Sequence, residues 1–482
     1  MNARNDDPTP DEQREGTAAD DDAEEEPPRS ETSAASPGPD AVAVMPDEVP
    51  DEELATEVLD FAEPFESIGR ADLDGFLRRA SGARAVLLGG STHGTSEFYR
   101  MRSRLTRELV AVHDFDFVAL EADWGDTARI DRYVRDGDVP ESEWTAFARF
   151  PQWMWRNRET REFVESLRDF NSGIGDRSDR VALHGLDLFG MNDSVRGILD
   201  YLERVDPDAA DEARSRYSCL APWQDEPARY ASEATRETFE ECEDAVMQEL
   251  RTLLEQRVEL PGASEEFVEA VQNARLVADA ERYYRLLYRG GAKAWNVREQ
   301  HMLDTLRMLL AHHGPDARGV VWAHNAHAGD ASATSSGREG RTSLGELARE
   351  ELDKRAYLVG MVTDRGTVTA APRWEGPPER RELEPSRDDS WEHLLTRLEE
   401  PRALLPIHHQ APPAVRERLA DVRPQRTVGV VRAADGEGTG EYVQASLSRQ
   451  FDELIWFEET DGVTPLDGEQ LEGEPDTYPF GV

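Results

Sequence analysis

The sequence predicts an α/β protein with a largely parallel central sheet that is flanked by helices. From Glu53 onward, short apolar runs of strand length alternate with amphipathic stretches of helical period. The first of these runs end in glycine-rich or polar turns before the next helical pattern begins. Neighbouring parallel strands need long crossover connections, which helices supply, so this alternation favours a parallel sheet covered on both faces.

Four strong strand patterns carry this prediction. They cover residues 83–88, 115–120, 181–186 and 319–322. Weaker β signals, which we expect to join the same sheet, cover residues 357–362, 367–370, 404–407, 428–431 and 454–457. Between the two groups, the Gly/Ser/Thr-rich segment 330–343 predicts a mobile loop.

Composition divides the chain into three parts. Residues 1–48 are rich in Asp, Glu, Pro, Ala and Ser and contain almost no large apolar residues, which predicts a disordered acidic arm. Residues 49–466 are expected to form the folded domain, in which the long amphipathic helices of residues 206–313 indicate a helical insertion. Residues 467–482 are expected to form an acidic tail.

The charge balance is strongly acidic. The 482 residues include 55 Lys and Arg against 100 Asp and Glu, which gives a formal net charge of −45. Such a charge excludes a nucleic-acid binder that works by neutralising phosphates. Lys293 and Lys354 are the only lysines. An acidic surface poor in lysine indicates a halophilic protein, whose self-repulsion is screened in concentrated salt. The alternative is an acidic mesophilic protein with a disordered tail.

Neither the cysteines nor the apolar runs indicate export or a membrane. Cys219 and Cys242 lack metal-ligand spacing, and a bridge between them is not expected. No apolar run approaches the roughly 18 residues of a membrane span, and no leader pattern opens the chain. We therefore expect a cytoplasmic protein with no membrane partner, and the oligomeric state is left open.

Polar groups follow the four strongest strand patterns, at His93, Glu121, Asp187 and His324. In parallel α/β sheets, ligands bind outside the carboxyl ends of the strands. If these strands are neighbours, two histidines and two carboxylates converge there, as acid–base chemistry or a metal site requires. The alternative for each residue alone is that it caps the following helix or satisfies a loop backbone.

Several familiar active-site motifs are absent. In the sequence Gly-Gly-Ser-Thr-His, His93 occupies the second glycine position of a Gly-x-Ser-x-Gly nucleophile elbow, which disfavours a serine esterase. There is no phosphate-binding Gly-x4-Gly-Lys motif, no Gly-x-Gly-x-x-Gly after a strand and no His-Glu-x-x-His. A nucleotide enzyme is therefore not expected.

A set of motifs, in matching order, resembles the erythromycin esterase family. The first is LGGSTHGTSEFY at residues 88–99, which is similar to the family's Gly-Glu-(Ala/Ser)-(Thr/Ser)-His-Gly-Thr-x-Glu-Phe. The others are LEADW (120–124), FPQWMWRN (150–157), GLD (185–187), YRGGA and WNVRE (288–299), VWAHNAH (321–327), GTVTAA (366–371) and FDELIWF (451–457). The resemblance extends from about residue 60 to about residue 466.

The resemblance implies a hydrolase that opens ester or lactone bonds by direct attack of water, in some members the macrolactone of erythromycin-type antibiotics. It makes His93 the general base, with Glu121 as an orienting carboxylate, since a neutral imidazole can take a proton from water. His324 and Arg102 match the family's second functional histidine and its functional arginine, which could bind the oxyanion, the leaving group or the product. We expect substrate contacts from Asp123, Asp187, Trp153, Trp155 and His327, and no cofactor or metal.

One position departs from the family motif. Three residues before the histidine the family has glutamate, whereas this chain has Gly90. Either Asp123, Asp187 or Glu97 substitutes, or the activity is altered or absent. Two alternatives follow: a protein that binds an ester or sugar ligand without cleaving it, and a metal-dependent hydrolase with ligands among His93, His324, His327, Glu121 and Asp330.

Overall fold

The computed structural model describes residues 51–137, 146–223, 232–233, 242–259, 264–287, 291–432 and 441–468. The predicted acidic arm, 1–48, and all but the start of the predicted tail lie outside these residues. The β-strands are β1 (Glu63–Pro64), β2 (Ala85–Leu88), β3 (Phe117–Asp123), β4 (Ala182–Asp187), β5 (Gly319–Trp322), β6 (Ala356–Ala370), β7 (Glu379–Leu383), β8 (Arg402–Leu405), β9 (Val422–Arg426), β10 (Tyr442–Ser446) and β11 (Glu453–Thr460).

Most of these strands form one mixed sheet in the order β1-β8-β11-β6-β2-β5-β3-β4, with β7 paired to β6. The pairs from β11 to β4 are all parallel. The strands β1, β8 and β7 join antiparallel at the margin. The predicted α/β class with a largely parallel sheet is thus confirmed.

Helices cover both faces of the sheet. They are α1 (Asp51–Leu59), α2 (Asp74–Ala80), α3 (Ser96–His113), α4 (Trp124–Asp136), α5 (Arg158–Ser172), α6 (Met191–Val205), α7 (Pro207–Tyr217), α8 (Glu243–Glu259), α9 (Glu265–Leu287), α10 (Ala292–His312), α11 (Asn325–Ala328), α12 (Ser335–Arg338), α13 (Leu344–Leu352), α14 (Trp391–Leu395), α15 (Ile407–Gln410), α16 (Pro413–Arg418) and α17 (Leu447–Gln450). No helix among the described residues is both long and apolar enough to cross a bilayer.

Two hydrophobic cores lie on opposite faces of the sheet because successive strand residues point to opposite sides. On β2, Ala85 and Leu87 enter one core, whereas Val86 and Leu88 enter the other. The first core also contains apolar residues of α6 to α10, and the second contains residues of α2 to α5. Burial on both sides explains why the strands are apolar throughout rather than alternating.

The structure corrects three expectations. Residues 428–431 form no strand of the main sheet but only isolated bridges, because the preceding β9 pairs with β10 in a separate two-stranded sheet. Segment 330–343, which was expected to be a loop, contains a 3-10 turn (Ala331–Ala333) and α12. Cys219 and Cys242 form a disulfide, since the helices α7 and α8 that they adjoin pack together.

Candidate functional site

The strand order brings the predicted residues to one edge of the sheet. Strands β2, β5, β3 and β4 are consecutive neighbours, so the segments after them emerge side by side. The segments after β2 and β5 carry His93 and His324, while Glu121 lies near the end of β3 and Asp187 ends β4. The rings of His93 and His324 lie with their centroids 4.7 Å apart and their planes inclined by 30°. All four residues are buried.

The loop after β2 is held in place where the backbone of Gly89 packs against the side chain of Asn325. A Cβ atom at this position would lie 2.2 Å from Oδ1 of Asn325, so a larger residue would displace that side chain. The Asn325 side chain in turn donates from Nδ2 to the Met361 carbonyl at 3.0 Å. The hydroxyl of Tyr99 on α3 donates to the carbonyl oxygen of His93 at 2.8 Å. These contacts fix the position of the His93 backbone.

Glu121 is a buried, ionised carboxylate at the centre of the site. Its Oε2 accepts a hydrogen bond from the His324 backbone N–H at 2.8 Å, and its Oε1 lies 3.1 Å from Nε2 of His327. Burial alone would raise the pKa of this carboxyl, but the fields of His327 and His93 outweigh it and hold the pKa well below 4.5. A permanent negative charge therefore faces both histidine loops.

His324 is neutral, and its tautomer follows from its hydrogen bonds. Burial and the neighbouring His93 hold the pKa of His324 well below 6.5. Its Nδ1 accepts from the Ala326 backbone N–H at 3.1 Å, which leaves the ring proton on Nε2. Nε2 makes no hydrogen bond of normal geometry, although the Ser91 carbonyl oxygen, which also accepts from Val428 at 2.8 Å, lies near enough to raise the pKa of the ring. The site thus holds a buried N–H donor whose contact with Ser91 is weak.

His327 is held between two carboxylates. Its Nδ1 lies 2.6 Å from Oε1 of Glu299, its Nε2 contacts Glu121, and its ring stacks on Trp295 at 4.9 Å. Although burial alone would lower the pKa of His327, Glu121 and Glu299 raise it to about 9. His327 is therefore an imidazolium at neutral pH, and it lies against Glu121, Glu299 and Trp295.

Arg298 completes this buried charge network. Its guanidinium donates to both oxygens of Asp187, at 2.7 Å from Nη2 to Oδ2, and to Glu121 at 2.8 Å. Neither Arg298 nor Glu299 is among the site residues predicted from the sequence. The signal for both was the motif WNVRE, whose last two residues point into the site from α10.

Arg102 occupies the space beside Gly90. Its Nη2 donates to the Ala323 carbonyl at 2.6 Å, and its Nε donates to the Leu88 carbonyl at 3.2 Å. A Cβ at Gly90 would lie 2.8 Å from Nη2 of Arg102. The guanidinium therefore joins the ends of β2 and β5. It lies beside Gly90, the position at which the family motif has glutamate.

The remaining predicted residues have structural contacts. The Trp155 indole donates to the Glu121 carbonyl oxygen at 2.9 Å, and Trp153 is fully buried in the core. Asp123 caps α4 by accepting from the Asp126 backbone N–H. The Glu97 carboxylate accepts from the Asp461 backbone at 2.8 Å. None of these observed contacts supplies a carboxylate in place of the glutamate missing at residue 90.

The described residues contain no group of three or more His, Cys, Asp or Glu side chains that could hold a metal ion. His327 holds a proton at neutral pH, which a metal ion would have to displace in order to bind the ring. Asp330, the other suggested ligand, pairs with Arg349 at 3.1 Å and accepts from the Ser332 backbone.

A cavity of about 620 Å³ borders the histidine loops. Asn325 and Ala326, which follow His324, form part of its lining, as does Val428. The backbone of Val428 is hydrogen-bonded to Ser91 in the loop that carries His93. A volume of this size suits a small-molecule ligand.

Solved structures with the same fold include a succinoglycan biosynthesis protein, with a TM-score of 0.72, 21% identity, and coverage of 86% of this chain and 99% of that chain. A Bacillus cereus protein matches with a TM-score of 0.70 and 18% identity over 87% of this chain and 100% of the other. A histidine mutant of the erythromycin esterase EreC, in its open conformation, matches with a TM-score of 0.60 and 17% identity over 85% and 98%. The erythromycin esterase family model matches residues 110–460. The chain therefore belongs to the erythromycin esterase family.

Proposed function

We propose that this protein hydrolyses carboxylic ester or lactone bonds with a water molecule activated by His93. Membership of the erythromycin esterase family supports an esterase-type hydrolase that acts on small molecules. The observation that carries the proposal is the pairing of His93 with a neutral His324, whose Nε2–H is buried without a hydrogen bond of normal geometry, next to the ionised Glu121.

In the proposed reaction, His93 accepts a proton from water as the water oxygen bonds to the ester carbonyl carbon. The charge of Glu121 stabilises the imidazolium that forms, because an opposite charge in a buried site favours the protonated ring. Nε2–H of His324 donates to the oxyanion of the tetrahedral intermediate. The bond to the leaving alkoxide then breaks, and His93 returns its proton to that oxygen, which yields an acid and an alcohol.

The other charged residues act by positioning. Arg102 ties the ends of β2 and β5 through the carbonyls of Leu88 and Ala323, so it sets the separation of the two histidine loops. Arg298 and His327 keep Glu121 ionised and immobile. Pre-organised charges of this kind need no rearrangement during the reaction, which is why they lower its barrier.

The test is hydrolysis of simple esters, lactones and a 14-membered macrolactone in molar KCl. The macrolactone is included because one structural relative is an erythromycin esterase, and saccharide esters because another is named for succinoglycan biosynthesis. His93→Ala should abolish turnover in a folded protein, and added imidazole should restore part of it. The exposed His312 provides the matched control, His312→Ala, which should keep the wild-type rate. Turnover retained by His93→Ala would refute the proposed base.

A second candidate is a binding protein that has kept the pocket and lost the chemistry. Gly90 favours it, since Arg102 lies there against carbonyl groups instead of a carboxylate. The same assay distinguishes the two proposals. A ligand that binds to the wild-type protein and is recovered unchanged supports the binding protein, whereas a cleaved ligand supports the hydrolase. A chelator-treated sample in the same assay tests the metal-dependent alternative, because loss of turnover on chelation alone would support a metal.

A further inference from the structure

The charged side chains that line the cavity are predominantly basic. They are Arg341, Arg426, Arg432 and Glu441. In a chain with nearly twice as many acidic as basic residues, three arginines against one glutamate is a local inversion of charge. A protein with this composition has enough carboxylates to neutralise all three arginines. An excess of arginine at the cavity therefore suggests that the cavity binds an anionic ligand.

Two of the arginines are used by the fold. Arg432 pairs with Glu441 at 2.8 Å and with Glu384 at 2.9 Å. Arg426 is buried and donates to the Glu384 carbonyl oxygen at 2.8 Å and to the Tyr442 hydroxyl at 2.9 Å. These contacts leave Arg426 its charge, because a carbonyl or hydroxyl partner does not neutralise a guanidinium.

A buried carboxyl beside Arg426, that of Glu392, compensates for its charge only in part. Glu392 accepts a hydrogen bond from the Arg426 backbone N–H at 2.9 Å and is fully buried. Burial raises the pKa of Glu392 to about 7, so near neutral pH this carboxyl is only about half ionised. Near neutral pH, Glu392 therefore offsets the charge of Arg426 only in part.

Arg341 differs from the other two in its contacts. Its guanidinium lies over the Trp295 ring at 5.4 Å, and the side chain is half-buried. Across the described part of the chain, the only side-chain contact observed for Arg341 is this ring, and no carboxylate lies within ion-pair distance of it. A cation–π contact holds the guanidinium near the ring and leaves its N–H groups available to a planar or tetrahedral anion.

The cavity lining also contains two buried amides with unused hydrogen-bonding atoms. Gln425 and Gln450 are 1% and 2% exposed, and Nε2 of the first and Oε1 of the second have no hydrogen-bond partner. Leaving such groups unpaired in a folded protein costs about 1–3 kcal/mol each. A polar ligand in the cavity would satisfy them, which is a second observation, independent of the charges, that points to a bound molecule.

We propose that this cavity binds an anionic group of the substrate, with Arg341 as the residue that recognises it, so that the preferred substrates are esters bearing a carboxylate or a similar oxyanion. The proposal rests on the ester hydrolysis proposed above and adds the class of ester. Neutral esters lack a partner for Arg341. Erythromycin-type macrolides carry a tertiary amine that is protonated at neutral pH, so the same cavity repels them.

The first experiment measures binding without turnover. Terephthalate is the anionic probe and terephthalamide its neutral counterpart, with binding followed by tryptophan fluorescence or calorimetry at constant ionic strength. Wild type should prefer terephthalate, and Arg341→Gln should weaken its binding about tenfold, as expected for one lost charge-assisted contact. Arg338, exposed and outside the cavity lining, gives the control Arg338→Gln, which should keep the wild-type preference.

The second experiment measures hydrolysis of monomethyl terephthalate, dimethyl terephthalate, methyl 4-sulfobenzoate and methyl 4-(trimethylammonio)benzoate. For the wild-type protein, kcat/KM should be higher for the anionic monomethyl terephthalate than for the neutral dimethyl terephthalate. The ratio of the two values should be about tenfold smaller in Arg341→Gln. The sulfonate distinguishes recognition of any oxyanion from recognition of a carboxylate alone. Ester turnover with no anion preference, or with an Arg341→Gln ratio equal to wild type, overturns the anion site and leaves the hydrolase intact. Anion binding that needs Arg341, without turnover of any ester, overturns the hydrolase and leaves the anion site intact.

Discussion

The proton on His327 makes the stability of the folded protein depend on pH between 6.5 and about 9. Its pKa rises from the ordinary 6.5 to about 9 in the folded state because Glu121 and Glu299 flank the ring. A group whose pKa rises on folding contributes its full stabilisation below its unfolded pKa and loses it as the pH rises through the folded value. At about 1.4 kcal/mol per pH unit, the full contribution is about 3 kcal/mol. By linkage, most of this contribution remains at pH 7 and little of it remains at pH 9.

The assay is denaturant unfolding in molar KCl at pH steps from 6 to 10, with His327→Gln as the perturbation. At pH 7 the variant should be about 3 kcal/mol less stable, since it loses one partner of a buried charge network. The wild-type free energy of unfolding should fall by about 2 kcal/mol between pH 7 and 9 relative to the variant. His408, whose pKa is raised by its hydrogen bond to Asp452, titrates in both proteins, so the difference removes its contribution. Parallel profiles for the two proteins would refute a protonated His327.

Two further predictions concern the missing glutamate and the charge. Gly90→Glu should raise kcat/KM at least about tenfold if the absent carboxylate limits hydrolysis, because such groups typically contribute about 10² to 10⁴ in rate. Gly90→Ala is the control, since its side chain also displaces Arg102 but adds no carboxylate. If kcat/KM is unchanged in both folded variants, the missing carboxylate does not limit the reaction. The thermal unfolding midpoint should rise from dilute buffer to molar KCl, since salt shortens the Debye length to about 3 Å at 1 M and screens the net charge of −45. A midpoint that stays level or falls would contradict the halophilic interpretation.

The ends of β2 and β5 could be predicted closely because each is an apolar run closed by a distinct turn. The pairing of these two strands could not be predicted. β5 lies between β2 and β3 in the sheet but about 200 residues after β3 in the chain, and no local sequence pattern encodes that pairing. The same limit applies to the site. His93 and His324 follow strands and stand out by position, whereas Arg298 and Glu299 lie on a long helix whose buried polar face is indistinguishable from a solvent face in sequence.

The weaker β signals near the carboxyl end were harder to assign for a different reason. β6 continues for fifteen residues and pairs with β2 and β11 over its first part and with β7 over its last. A strand that changes partners along its length looks like two short strands in sequence. Val428, by contrast, has strand-like neighbours but forms only a single bridge, to Thr92.

The cavity lining comes from a different part of the chain than the groups proposed to cleave the ester. Apart from Trp295, every lining residue lies between Asn325 and Gln450, after His93, Glu121 and His324. Substitutions and insertions within that later stretch can reshape the binding wall without moving the histidines, which are anchored on β2 and β5. The chemistry and the choice of substrate can therefore evolve separately, so relatives with identical histidine loops need not share a substrate.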